Sequence, residues 1–114
     1  MSLRDEQAIL RDMLQYARLA VQAAEGRTYE DLLNDRLFRA ACERFIEVVG
    51  EAARNMPKES RPKYPGIPWG DIIATRNVLV HGYLRIDLQI IWTVLQRNLP
   101  DLIPILESML DVDA

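Results

Sequence analysis

At 114 residues the chain has room for one hydrophobic core and too little length for two domains. Its formal net charge of −3 argues against indiscriminate polyanion binding, which takes an excess of Lys and Arg to release counterions. Hydrophobic residues at 49% and charged residues at 27% fit a globular domain, and no apolar run approaches the roughly 18 residues of a bilayer span.

The N-terminus, Met1 to Glu6, enters charged residues with no signal-peptide pattern, so a cytoplasmic location is expected. The apolar residues Leu10, Leu14, Ala17, Val21 and Ala24 then recur at helical spacing, which predicts a first helix over about Leu3 to Glu25, stopped by Gly26. Thr28 and Asp31 form a capping pair for a second helix running to about Asn55, roughly 38 Å long at 1.5 Å per residue. Phe38, Cys42, Phe45, Val49, Ala52 and Met56 give it a broad buried face, and it is expected to be the spine of the domain. The lone Cys42 lies within this stripe and reads as a small core residue, since one cysteine allows neither an internal disulfide nor a multi-cysteine zinc site.

Pro57, Pro62, Pro65, Gly66 and Pro68 exclude regular structure from Met56 to Pro68 and predict a stiff loop. A third helix is expected from Trp69 to His81, with Gly82 as the residue just past its end. Asp87 caps a fourth, with Leu88, Ile91, Trp92, Leu95 and Leu99 on one side. Pro100 begins or bends a fifth, carrying Ile105, Leu106, Met109 and Leu110, and Pro104 belongs in a first turn or at a kink. No alternating strand pattern or repeat occurs. The expected fold is therefore all-α, one domain over residues 1–114 built as an antiparallel bundle of four to five helices. Charge is polarised along it: Arg54, Lys58, Arg61 and Lys63 precede Pro65, and Asp101, Glu107, Asp111 and Asp113 crowd the C-terminal end, a pattern that reads as two solvated faces.

The third helix carries the chemistry. Arg76, Asn77, the chain's only histidine His81, and Tyr83 interrupt an otherwise apolar run. On a wheel with Arg76 at zero, Asn77 lies at about 100° and His81 at about 140°, one arc, and the i, i+4 spacing allows an Asn77 amide to His81 imidazole hydrogen bond. Ile73, Val78, Leu79 and Val80 leave the helix apolar nearly all round, as for a helix covered by its own bundle and by a second subunit. An imidazole that titrates near neutrality and a guanidinium that holds phosphate charge are the groups that metal-independent RNA cleavage requires, with no cofactor. One histidine cannot be base and acid at once, which a two-fold dimer resolves. The plainer alternative stays open: a histidine in a last helical turn also suits the helix dipole, and Tyr83 also suits packing on the core. Glu47 and Glu51, one turn apart, read either as partners for Arg76 or as surface charges.

The ordered set Gly50-Glu51-Ala52-Ala53, Ile67-Pro68-Trp69, Arg76-Asn77-x-x-x-His81-x-Tyr83, Ile91-Trp92 and Leu99-Pro100 resembles the HepT-type HEPN toxins, over about Phe45 to Leu110. The resemblance implies a HEPN-like all-helical homodimer with a composite endoribonuclease cleft, acting as the toxin of a toxin–antitoxin pair beside an MNT-type nucleotidyltransferase antitoxin. It assigns Arg76 and His81 as the catalytic pair, Asn77 as the supporting polar residue, and Tyr83 as the tyrosine that the antitoxin modifies with AMP. The proline-rich stretch from Pro62 to Pro68, and Pro104, depart from the pattern outside the motif. A non-catalytic HEPN module that binds RNA or nucleotide, or only docks the nucleotidyltransferase, is the alternative.

Overall fold

A computed structural model describes residues 1–81 and 87–110. Helix α1, Leu3–Ala24, starts at a capping box in which the Ser2 hydroxyl accepts from the Asp5 N–H at 3.1 Å and the Asp5 carboxylate accepts from the Ser2 N–H. It ends just before Gly26, whose φ of +73° is the left-handed turn that a residue with a Cβ avoids.

The expected second helix is two. Helix α2, Tyr29–Asn34, opens on the Thr28 and Asp31 capping box, and α3, Arg36–Asn55, starts afresh at Asp35. The Asp35 carboxylate accepts from the Phe38 N–H at 3.1 Å, so it caps α3 where the apolar repeat alone runs straight through. Arg27 holds the corner: its guanidinium pairs with Asp35 at 2.7 Å and Asp31 at 3.4 Å, and stacks over the Phe38 ring at 4.1 Å. These contacts pull the acids below their ordinary range, for Asp31 first through the Thr28 backbone and for Asp35 first through the Phe38 backbone. The spine is thus about 30 Å long, and the longest helix is the 22-residue α1.

Helix α4 spans Trp69–His81, and α5 spans Leu88–Thr93 behind the expected Asp87 cap. The chain then passes without a break through a π-helical turn, Val94–Asn98, into α6, Leu99–Met109. The two expected C-terminal helices are one continuous arm. The wide turn sits immediately before Pro100, which has no N–H to give and whose ring would strike the Gln96 carbonyl in a tight α-turn; the Leu99 N–H reaches back five residues to Val94 instead. Pro104 lies in the interior of α6, not in its first turn.

The core forms around α1, which packs on α3 along one side and on the arm along the other. Leu10, Met13, Ala17, Ala20, Leu32, Cys42, Met56 and Leu106 are fully buried there. Burial pushes the Cys42 thiol up to about 11. With no strand among the described residues, the all-α bundle holds, and no described helix is long and apolar enough to cross a membrane.

Candidate active site

The proline-rich segment that delivers α4 is an ordered stack of turns, with one short 3₁₀ turn at Arg61–Lys63 that the proline count did not predict. Its anchor is Glu6 of α1, only 1% exposed. The carboxylate accepts from the Tyr64 hydroxyl at 2.8 Å and the Lys63 ammonium at 3.0 Å. Those bonds, Lys63 first and then Tyr64 and Ser60, outweigh burial and hold its pKa at about 2. The Tyr64 carbonyl in turn accepts from the Trp69 indole at 3.3 Å, fixing the first residue of α4.

Helix α4 packs on α3, and its own wheel divides it into three faces. Trp69, Ile72, Ile73, Arg76, Leu79 and Val80 share the arc turned to α3, yet only Trp69 and Leu79 of the whole helix are buried. Pro68, Asp71, Ile72 and Thr75 border a groove of about 820 Å³ that α5 and α6 close on the other side. Asn77 and His81 lie on the opposite flank, both exposed, with the 48% exposed Val78 between the flanks. The expectation of a helix covered by its own bundle is therefore met on one side only.

Arg76 is at the helix crossing. A Cβ placed on Gly50 of α3 would stand 2.2 Å from the Arg76 Cβ and 2.7 Å from its Cγ, so the arginine stem occupies the space that any other residue at 50 would fill. Glycine inside a helix costs about 1 kcal/mol relative to alanine, and here the close approach explains it. Past the crossing, the Arg76 Nε is buried with no hydrogen-bond partner among the described residues, and Nη1 donates to the Asn77 Oδ1 at 3.0 Å. The Asn77 amide oxygen is spent on the guanidinium, and among the described residues the expected amide-to-imidazole bond is not made: the ring of His81, the last residue of α4, has no hydrogen bond. Neighbouring residues on a helix do not face each other, so this contact exists because the long guanidinium folds back over the turn.

Arg76 and His81 are five residues apart, a rise of about 7.5 Å and a turn of about 140°. No hydrogen bond joins their side chains among the described residues. Glu47 and Glu51 pair with Arg44, at 3.3 and 3.4 Å, and not with Arg76, in line with the surface reading. Gly82 and Tyr83 lie outside the described residues. No three His, Cys, Asp or Glu side chains among the described residues group as metal ligands would. Gly50 enters the sequence reading only as the first residue of the Gly50-Glu51-Ala52-Ala53 motif, with no role of its own; the close approach to Arg76 is what that reading missed.

Comparison with known proteins adds a family. The model of the family described as "Ribonuclease HepT-like" matches residues 13–109. The chain is 33% identical over 100 residues to a Methanocaldococcus jannaschii protein provisionally named an RNase, covering 88% of this chain and 92% of that one. It is 28% identical over 99 residues to the "Probable ribonuclease HepT" of Thermococcus cleftensis, 87% and 90% of the two chains. A longer M. jannaschii protein, provisionally named both a gamma-glutamylcyclotransferase and an RNase, matches over 45% of its length at 32% identity. No solved structure gives a significant match.

Proposed function

Because the chain belongs to the HepT-like ribonuclease family, we propose that it is a metal-independent endoribonuclease whose site is Arg76, Asn77 and His81 read across two copies of α4. The carrying observation is the Arg76 side chain, sunk into the α3 crossing, oriented by Asn77, and left with a buried Nε unpartnered among the described residues, on the same helix as the exposed His81. A guanidinium held this way costs little to reorganise when a phosphate gains charge, the condition under which such a donor contributes most. In the cleavage step, the imidazole of one copy takes the ribose 2′-hydroxyl proton and the 2′-oxygen attacks the adjacent phosphorus. The imidazolium of the other copy protonates the departing 5′-oxygen, leaving a 2′,3′-cyclic phosphate. Arg76 stabilises the phosphorane charge. The exposed apolar face around Ala74 and Val78 is the surface on which the second copy fits.

The test is cleavage of single-stranded RNA by the purified protein in EDTA. His81→Ala and Arg76→Ala should each lower the rate on the order of 10²-fold or more. A His81→Ala protein that cleaves as fast as the parent would end this reading.

We further assign the chain, as an expectation from its family, the toxin part of a toxin–antitoxin pair in the cytoplasm. An MNT-type nucleotidyltransferase silences it by transferring AMP to Tyr83, two positions beyond the histidine. Added phosphate charge and bulk there would compete with RNA for the guanidinium. Co-expression with that neighbour should add one or more AMP masses to the chain, and the gain should vanish in Tyr83→Phe; modification elsewhere would reassign the switch.

One observation favours a non-catalytic alternative. The His81 imidazole has no orienting hydrogen bond among the described residues, as suits a module in which Arg76 grips phosphate and no proton moves. RNA retained on the protein without cleavage under any condition selects it.

A further inference from the structure

The geometry points to Gly50 as the positioning residue of the site: the absent side chain on α3 is the slot that seats the Arg76 stem and aims its guanidinium. Two independent observations meet here. The first is steric. Position 50 is buried in mid-helix, and the atoms nearest a Cβ there are the root of the arginine, Cβ at 2.2 Å and Cγ at 2.7 Å, with the Ile72 carbonyl oxygen at 3.3 Å. Backbone and stem atoms of this kind cannot step aside as the far end of a long side chain can. The second is polar. The Arg76 Nε lies buried and, among the described residues, unpaired directly beyond that contact, a cost that a surface arginine escapes by turning to water. Asn77 takes Nη1 on the other side. The stem is therefore fixed between the α3 backbone and the Asn77 amide, with Nε held out of water until a partner reaches it.

The link from Gly50 to phosphate recognition rests on the ribonuclease reading above, but its physical core does not, and the experiments separate the two. In ¹⁵N-resolved NMR spectra of the whole protein, the Arg76 Nε–H should exchange with water at least about tenfold more slowly than that of the exposed Arg54, because burial slows access. The signal is assigned by its loss in Arg76→Lys. Gly50→Ala should abolish the protection. In the cleavage assay it should lower kcat about tenfold or more with a smaller change in KM, since the guanidinium is still present but displaced. Gly50→Ala with protection and kcat both intact would overturn the proposal.

Should Gly50→Ala alone unfold the chain, stability decides. Arg76→Gly empties the facing position, so the double variant Gly50→Ala/Arg76→Gly should fold and should melt no lower than Arg76→Gly itself. An equal penalty for the alanine with arginine or glycine at 76 would also overturn the assignment. A protein that cleaves no RNA, yet shows the slow Nε–H and its loss in Gly50→Ala, would keep the positioning role and discard the ribonuclease reading.

Discussion

Glu6 shows how a single residue reaches the site from the far end of the chain. It sits in the first turn of α1, where a carboxylate ordinarily faces water and favours the helix dipole. Here it is sealed beneath the loop and binds Tyr64 and Lys63, so the entry of α4 depends on its charge. Its folded pKa, about 2, lies below the ordinary 4.5, so the stability it contributes is complete above about pH 4.5 and is lost as pH falls from there toward 2. Glu6→Gln should unfold at lower urea than the parent at pH 7. The difference between the two midpoints should shrink as pH falls through that window, and a difference unchanged from pH 7 to pH 2.5 would refute the linkage. The same carboxylate keeps the Tyr64 phenol above its usual range, second to burial.

At the scale of elements, some of the fold was legible in sequence and some was not, for identifiable reasons. Helix α1 has the limits expected, and helix α4 the expected start, because these are set locally: Ser2 and Gly26 for the first, Pro68 and Trp69 for the second. The α2 to α3 break was hidden because Leu32, Leu33, Leu37 and Phe38 continue the apolar repeat across it. What cuts the helix is the Asp35 cap, secured by Arg27 eight residues earlier. The π-turn was hidden for the opposite reason: Pro100 announces a break, and widening one turn absorbs it without one. The candidate site divides the same way. Arg76, Asn77 and His81 stand out as polar residues in an apolar segment, whereas the reason for Gly50 is a side chain on another helix, which no window along the sequence contains.

At the scale of the whole molecule, the single histidine per chain makes the proposed chemistry depend on association. Val78 lies on the exposed apolar face of α4, away from the α3 contact. Val78→Glu should leave the helical content of the chain intact while shifting it to a monomer in sedimentation. It should reduce cleavage on the order of 10²-fold, the usual cost of losing one catalytic partner. A monomeric Val78→Glu protein with parental activity would place the whole site within one chain. Cys42 adds a consequence to this dependence. The only thiol lies fully buried in α3, with its pKa pushed up to about 11, so it offers no covalent bridge between two copies. On the proposed pairing, assembly is governed by mass action alone, and in dilute solution the concentration of competent sites grows with the square of the amount of chain present. The proposed cleavage would then rise faster than the amount of chain, about fourfold for each doubling of a dilute sample.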